Sequence, residues 1–322
     1  MQKSINLKKI WHQVLNPFAR PRLKAAIPAE FNSCERAPPP ELDCHIYRRL
    51  HEDLAHMGDN QLLEHYNRYG KPEGRVSNGL ANRKQFASLV APGMQALEVG
   101  PFATPLLHGD NVSYCDVLDR DGLKKRAGDL GLDPDSVPTI HHVLGPQGLD
   151  GFTGEFDAVL SSHCIEHQPD LIHHLQQVQR KLKNDGGRYF ILIPDKRYCF
   201  DKHIAPSTIA EVVQAHEEQR TVHTLRSVVE HRSLTTHNNA RRHWRPLDAE
   251  QHFIDPEKVQ NAINDWRNAK GRYIDVHAWY FTPDSFKEII GLLRSLNLIN
   301  LTAERIYSTR FESNEFWAVL KN

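Results

Sequence analysis

The chain has 322 residues, which is enough for one large α/β domain and a small additional module. Its 40 Lys and Arg residues balance 40 Asp and Glu residues, so we expect no nucleic-acid partner. No run of about 18 apolar residues predicts a transmembrane helix, and the N-terminus lacks the apolar core of a secretory signal. The five cysteines are scattered without a C-x-x-C pair, and we expect reduced thiols in a cytoplasmic protein.

Residues 1–42 are predicted to be a basic tail followed by a proline linker. Residues 1–29 contain no acid, and Pro17, Pro21 and Pro28 would break any long helix there. Prolines 38–40 form a stiff linker. The apolar residues of the tail could instead form a short amphipathic helix in weak contact with a membrane surface.

Residues 43–80 are predicted to be a small helical module. The apolar residues Leu62, Leu63 and Tyr66 have helical spacing, and Gly70 can end the helix. Residues 47–75 resemble a short helical module found beside bacterial glycan-assembly enzymes.

Residues 81–322 are predicted to form one α/β domain. Five short apolar runs, at 96–99, 112–115, 139–144, 156–160 and 188–193, alternate with helical stretches, which favours a parallel sheet covered on both faces. The polar segment 206–245 is rich in His and Arg and is predicted to be a helical insertion that acts as a mobile lid over an acceptor. A helix at 283–296 and a hairpin of 300–307 with 315–320 follow.

The first two strands of this pattern each end with an acid. The segment ALEVGPFATP places Glu98 two positions before Gly100, and a glycine lets the backbone approach a ligand closely. Asp116 ends the second strand, 18 positions after Glu98, and an acid at about this spacing binds ribose hydroxyls in dinucleotide folds. Asp119 is the second candidate for that role.

The fourth run continues as FDAVLSSHCIEHQPDL, which places Ser161, Ser162 and His163 at the carboxyl end of a strand. Ligands of open α/β sheets bind at that edge. The fifth run delivers Pro194 and Asp195 to the same edge, within the segment PDKRY.

These four segments together resemble the class I, Rossmann-like methyltransferases that use S-adenosylmethionine. The PDKRY segment is similar to that of one bacterial subgroup. The resemblance implies a seven-stranded, mostly parallel sheet with an antiparallel last strand. It also implies a cofactor site in which Glu98 organises a loop, residues from Gly100 through Pro101 and Phe102 to Ala103 wrap S-adenosylmethionine, and Asp116 holds its ribose. Ser161 and Ser162 would face the cofactor.

The resemblance predicts methyl transfer to an acceptor hydroxyl. If the acceptor is an oxygen, a base should take its proton, and His163 is the first candidate because its ordinary pKa is near neutrality. Asp195 is the second candidate and His277 the third. His277 precedes Trp279, Tyr280 and Phe281, which could form an apolar wall. The aromatic residues and the helical module favour a sugar or glycan acceptor in glycan biosynthesis, with a small metabolite as the rival.

Three alternative interpretations of the sequence compete with methyl transfer. His163, Glu166 and His167 spell the H-x-x-E-H motif of inverted zinc proteases, but His163 follows a strand directly, so we predict no metal site. A dehydrogenase would need the G-x-G-x-x-G motif that this chain lacks. The single glycine of the loop, and the absence of an acid after the third strand, also allow a catalytically degenerate binding module.

Overall fold

The computed structural model describes residues 37–245 and 253–322. The predictions for the basic tail, with its membrane-surface contact, lie outside the described residues. The described part begins with the end of the proline linker. Two helices follow, α1 (Cys44–Leu50) and α2 (Asp59–His65), with a 3-10 helix at Glu52–Leu54 between them and a π-helical turn at Tyr66–Gly70 after them.

These N-terminal helices have a small core of their own. Tyr47, Leu54, Leu62 and Tyr66 are all buried there, and the rings of Tyr47 and Tyr66 meet edge to face. Asp43 caps α1 by accepting a hydrogen bond from the backbone amide of Ile46. Residues 43–78 thus form a compact helical segment, which we call the N-terminal module.

Seven strands form one sheet in the order β3-β2-β1-β4-β5-β7-β6. They are β1 (Ala96–Val99), β2 (Val112–Asp116), β3 (His142–Val143), β4 (Ala158–Ser162), β5 (Arg188–Pro194), β6 (Thr302–Tyr307) and β7 (Glu315–Lys321). The first five strands are parallel, and β7 runs antiparallel to both of its neighbours. The predicted seven-stranded sheet with an antiparallel last strand is confirmed.

Helices cover both faces of the sheet, as the apolar strands require. In chain order they are α3 (Arg83–Ala87), α4 (Arg120–Asp129), α5 (Leu171–Lys181), α6 (Ile209–Glu217), α7 (Leu225–Ser233), α8 (Ala240–His243), α9 (Pro256–Ala269) and α10 (Pro283–Ser295). Helices α5, α6 and α10 share the larger core on one face. Helix α3 packs through Phe86 into the core on the other face.

Two elements differ from their sequence-based predictions. β3 has only two residues instead of the six predicted, because the backbone amide of Tyr114 bonds to the imidazole Nδ1 of His141 rather than to a strand. The predicted lid, 206–245, is not one mobile unit, since Val212 and Ala215 of α6 are fully buried in the larger core. Only α7 and α8 remain outside that core.

Candidate active site

The carboxylate of Glu98 fastens the loop that follows β1. Its side chain is 2% exposed, and it accepts hydrogen bonds from the backbone amides of Leu106 and Leu107, each at 2.9 Å. Burial raises the pKa of Glu98 to about 7, against the opposing effect of these hydrogen bonds. This buried acid therefore holds the far end of the loop in place.

Gly100 gives this loop its close approach to the sheet edge. Its φ is +68°, in the left-handed region, and its amide donates to the carbonyl of Cys115 in β2 at 2.9 Å. A Cβ built on Gly100 would meet only the Sγ of Cys164, at 3.9 Å. Phe102, two positions later, also has a positive φ of +46°. Open space therefore faces the backbone at the end of β1.

Asp116 lies at the end of β2, next to this loop. Its side chain is 8% exposed, and its Oδ1 accepts from the amide of Val117 at 2.7 Å. Burial raises the pKa of Asp116, while hydrogen bonds from backbone amides oppose that shift. Asp119, the second candidate, caps α4 by accepting from Gly122 at 2.8 Å, and so already has a structural role.

An open cleft of about 800 Å³ lies above the carboxyl ends of the parallel strands. It brings together six of the predicted site residues, namely Glu98, Gly100, Pro101, Phe102, Ser162 and His163. The opposite wall comes from the loop before β7 and from the start of α3. Ala103 is buried beneath the loop against α4, so it packs the loop instead of lining the cleft.

Besides Ala103, four predicted site residues do not line this cleft, namely Asp116, Ser161, Asp195 and His277. Ser161 is fully buried, and its hydroxyl bonds to that of Tyr189 at 2.7 Å within the larger core, since alternate residues of β4 point to opposite faces. Asp195 is also fully buried, and it accepts hydrogen bonds from Arg197 and Thr309. Both oxygens of Asp195 are engaged in holding a turn together. Asp195 is therefore not available as the base, contrary to the sequence-based prediction.

His163 lies at the end of β4 with a φ of +51°, an uncommon conformation for a residue with a side chain. Its Nε2 lies 2.9 Å from Oε2 of Glu315, at the start of β7. Burial lowers the pKa of His163, but the hydrogen bond to Glu315 and the charges of Glu166 and Glu315 outweigh it and raise that pKa overall. Glu315 thus orients the imidazole and favours its protonated form.

Glu315 has further partners that hold it ionised. Arg83 at the start of α3 forms an ion pair with it, and the indole of Trp317 donates to its Oε1 at 3.0 Å. Burial raises the pKa of Glu315, yet its hydrogen bonds to His163 and Arg83 outweigh that effect and lower it to about 2. A carboxylate, an imidazole and a guanidinium therefore form one chain of contacts along the cleft wall.

His277 lies away from the cleft lining. It is 4% exposed, it belongs to no strand, and its Nδ1 lies 2.7 Å from Oδ2 of Asp201. Trp279, Tyr280 and Phe281 are buried at 3%, 3% and 1% exposure. Trp279 and Tyr280 border a separate pocket of about 230 Å³, so the predicted apolar wall does not belong to this cleft.

The H-x-x-E-H motif does not lie on an α-helix. His163 ends the turn after β4, the 3-10 helix Ile165–His167 follows, and α5 begins only at Leu171. The two histidines therefore do not share the helical face on which an inverted zinc protease motif depends.

Sequence reasoning missed Arg83 and Glu315. They lie 232 positions apart and meet only because β7 inserts beside β5. One signal was available, since Glu315 is the acid that opens the last predicted strand, at the same sheet edge as His163.

No protein-family model and no curated protein matches the sequence. Among solved structures, the CcbJ methyltransferase from Streptomyces caelestis is 12% identical, with a TM-score of 0.37, over 74% of this chain and 92% of that one. The magnesium protoporphyrin IX methyltransferase from Synechocystis, with bound SAH, is 13% identical, with a TM-score of 0.33, over 82% and 100%. A protein from Rhodobacter sphaeroides described as a Zn-dependent alcohol dehydrogenase is 14% identical, with a TM-score of 0.38, over 82% and 98%.

The strand order of the chain itself defines its fold. The order β3-β2-β1-β4-β5-β7-β6, with only β7 reversed, is that of the class I methyltransferase fold. Within the residues that the structure describes, none of the helices is both long and apolar enough to cross a bilayer.

Proposed function

We propose that the chain is an S-adenosylmethionine-dependent methyltransferase that transfers a methyl group to an acceptor hydroxyl. The observation that carries the proposal is the loop after β1. Glu98 fastens this loop from below, and Gly100 keeps open space above the sheet edge. In open α/β sheets, ligands bind outside the carboxyl ends of the strands, which is where this cleft lies.

The residues around the loop suit this cofactor. The positive φ of Gly100 and the open space beside it let a ligand approach the backbone closely. Asp116 presents a carboxylate at the end of the neighbouring strand, where ribose hydroxyls can donate to it. Pro101, Phe102 and Ser162 line the same cleft. S-adenosylmethionine supplies a methyl group that its sulfonium charge already activates.

His163 is the proposed base. An acceptor hydroxyl entering the cleft would give its proton to the imidazole Nδ1, while Nε2 donates to Glu315, which fixes the tautomer. Only the neutral imidazole can accept that proton. The protein must otherwise align the acceptor with the methyl group and exclude water.

A sugar or glycan hydroxyl is the proposed acceptor. The wall opposite the loop is polar, with Arg83, Asn82 and Glu312 among its residues, so it offers donors and acceptors to a hydroxylated substrate. The zero net charge argues against a nucleic-acid acceptor. A small hydroxylated metabolite would use the same contacts and is the rival acceptor.

Calorimetric titration with S-adenosylmethionine and its demethylated product tests the proposal. Gly100→Val should abolish binding, because the valine side chain would occupy the space of the ligand. Gly131→Val is the matched control, since Gly131 has a φ of +71° and equally open surroundings but lies outside the cleft. That variant should carry the same backbone strain and keep full affinity.

The same titration also tests the alternative of a catalytically degenerate binding module. A wild-type protein that binds neither form of the cofactor would fit a degenerate module and would overturn the proposal. If Gly100→Val and Gly131→Val both bind normally, the cofactor loop lies elsewhere. Once binding is established, a screen of sugar, glycan and metabolite acceptors identifies the substrate class.

A further inference from the structure

A group of histidines and acids surrounds Glu166, beside the cleft. The Oε1 of Glu166 lies 3.9 Å from Nε2 of His167 and 3.9 Å from Nε2 of His277. One ligand atom from each of these three residues lies within 4.8 Å of the other two. The rings of His167 and His277 meet edge to face, with their centroids 4.6 Å apart. We call these three residues the Glu166 cluster.

Glu166 is the unusual member of this cluster. Its side chain is 1% exposed, and neither of its carboxylate oxygens has a hydrogen-bond partner among the described residues. Leaving a buried carboxylate unpaired is costly, and buried charges in proteins are paired or bind metals. Among the described residues no Lys or Arg pairs with this carboxylate, and the only basic groups within 4 Å of its Oε1 are imidazoles.

Each of the two histidines places its Nδ1 beside another carboxylate. Nδ1 of His277 lies 2.7 Å from Asp201, and Nδ1 of His167 lies 3.0 Å from Asp275, although the second contact lacks hydrogen-bond alignment. Each Nδ1 that carries its proton toward an aspartate leaves an Nε2 lone pair facing Glu166. Carboxylates that hold the distal nitrogen of a ligating histidine are a regular feature of metal sites.

We propose that the Glu166 cluster binds a divalent transition-metal ion through Glu166 Oε1, His167 Nε2 and His277 Nε2. A direct hydrogen bond cannot satisfy these atoms at 3.9 Å. Metal–ligand bonds of about 2.0–2.1 Å in a tetrahedral site separate donor atoms by roughly 3.3 Å, so a small inward movement of each side chain suffices. Two histidines and one carboxylate form a ligand set of catalytic zinc sites and leave a position open.

This inference departs from the sequence-based expectation of no metal site. It uses Glu166 and His167 of the H-x-x-E-H motif but takes its third ligand from His277, which lies 110 positions further along the chain. A neighbouring group of Asp201, His231 and His277 is the less suitable choice. In that group, Asp201 is already paired with His277, and His231 Nδ1 accepts from the His277 amide.

The place of the metal beside the cleft suggests its use. His163, which lines the cleft, has its Nδ1 3.8 Å from Glu166 Oε1, and His167 is part-exposed. A metal at this point would hold an acceptor hydroxyl at its open position and make that hydroxyl easier to deprotonate. This role rests on the proposed methyl transfer, whereas metal binding itself does not.

The test uses Zn²⁺ and Co²⁺ with untagged full-length protein that has been stripped of metal with a chelator. We expect one tightly bound Zn²⁺ per chain by elemental analysis after dialysis. We expect the visible absorption of bound Co²⁺ to indicate a coordination number below six. We also expect added Zn²⁺ to raise the melting temperature of the protein. Glu166→Gln and His167→Gln should each weaken binding by at least about 10–100-fold, the loss seen even for outer partners of metal ligands.

His173→Gln is the control, because His173 is an exposed histidine of α5 that belongs to neither metal group. It should bind Zn²⁺ as the wild type does. The melting temperature without metal shows that each variant is folded, and Glu166→Gln should not lower it, since it removes an unpaired buried charge.

Two results would overturn the inference. One is a wild-type protein that retains no Zn²⁺ or Co²⁺. The other is an equal Zn²⁺ content in wild type, Glu166→Gln and His167→Gln, which would assign the metal to other histidines. Methyl transfer by a metal-stripped enzyme would remove the proposed use of the metal but leave the proposed function intact. If the protein binds metal but neither form of the cofactor, the metal site is supported and the proposed function is overturned.

Discussion

Asp116 is the residue on which the ribose assignment depends. Its carboxylate lies at the end of β2, beside the Glu98-fastened loop. Asp116→Ala should weaken cofactor binding by about 1.5–3 kcal/mol, because hydrogen bonds to a charged group are lost. Calorimetry gives the affinity. Asp119→Ala is the control, since it removes the cap of α4 and should cost about 1 kcal/mol of stability without changing affinity.

The contact between His163 and Glu315 predicts a pH dependence of turnover. Because only neutral His163 accepts a proton, activity should fall as the pH drops through its pKa, which lies above the ordinary value. His163→Ala should lower turnover by about 10²–10⁴-fold, with cofactor affinity little changed. His163→Gln should recover part of that loss if positioning dominates. Full turnover in His163→Ala would remove the histidine from the reaction.

Glu315→Gln separates orientation from proton transfer. It removes the main partner that raises the pKa of His163, so the acidic limb of the pH–rate profile should move to lower pH. A fall in rate at all pH values with an unmoved limb would mean that Glu315 only supports the structure. Arg83 pairs with Glu315 from α3 but acts on His163 in the opposite direction, because its own charge lowers the pKa of His163.

The sequence indicated only part of this site, for a physical reason. Glu98 lies near the carboxyl end of β1, and Gly100 and His163 directly follow β1 and β4. The carboxyl ends of parallel strands meet at one edge of the sheet. The prediction that Ser161 faces the cofactor was wrong. Successive side chains of a strand point to opposite faces, so Ser161 enters the core while its neighbour Ser162 reaches the cleft. Local sequence patterns do not contain contacts between distant segments. Such contacts bring Arg83 to Glu315 and bring Glu166 its partners, so the sequence could not predict them.

The PDKRY segment acquires a structural explanation at the scale of elements. Asp195 accepts from Arg197 and Thr309, and the Nζ of Lys196 donates to the carbonyl of Lys202. The ring of Tyr198 stacks on that of Trp244, with 3.7 Å between centroids. The segment therefore closes the end of β5 and packs on Trp244 at the end of α8. Its charged residues are engaged with the protein itself.

Strong apolar runs were the reliable elements of the fold prediction. The predicted ranges of β1, β2, β4 and β5 differ from the observed strands by no more than two residues at either end, and the β6–β7 hairpin was expected. The run 139–144 failed as a six-residue strand because it lies at the sheet edge, where a histidine side chain competes for a backbone amide.

Helices α6 and α7 should differ in their local stability. Val212 and Ala215 anchor α6 in the larger core, whereas α7 packs on α9 through a small cluster of Val228, Ala262 and Val276. Fewer buried apolar contacts mean a lower free energy of local opening. Amide hydrogen exchange measured by mass spectrometry should be slow in α6 and faster in α7 and α9 of the free protein.

Bound cofactor and acceptor should slow exchange in α7 and α9 if these helices cover the acceptor. Exchange in α6, which serves as the internal reference, should change little. Equal and strong protection of α6 and α7 in the free protein would contradict a mobile lid.

The N-terminal module contacts the segment just before β7, which joins two described parts of the chain that are distant in sequence. The amide of Phe311 donates to the carbonyl of Gly74 at 2.9 Å, and Arg310 donates to the carbonyl of Arg75 and to the Oδ1 of Asn78. The segment that contains Arg310 and Phe311 leads directly into Glu315 and borders the cleft. The module therefore supports one wall of the candidate active site.

Gly74→Ala tests this support. A Cβ at Gly74 would lie 2.4 Å from the Phe311 amide nitrogen and 2.8 Å from the Trp244 ring, and the φ of Gly74 is +63°. Overpacking should cost about 1–3 kcal/mol of unfolding free energy, in addition to roughly 1–2 kcal/mol of backbone strain. Gly271→Ala is the matched control, because Gly271 has a φ of +77° and no neighbour within 4 Å, so it carries the strain alone.

Chemical denaturation of the two variants measures the difference in unfolding free energy. Because the module is tied to the segment before Glu315, Gly74→Ala should also lower kcat/KM, whereas Gly271→Ala should leave it unchanged. Equal stability and equal activity of the two variants would mean that the module is independent of the cleft. A loss of stability in Gly74→Ala without a loss of activity would confine the contact to the fold, because the wall formed by Glu315 would then keep its geometry without the module.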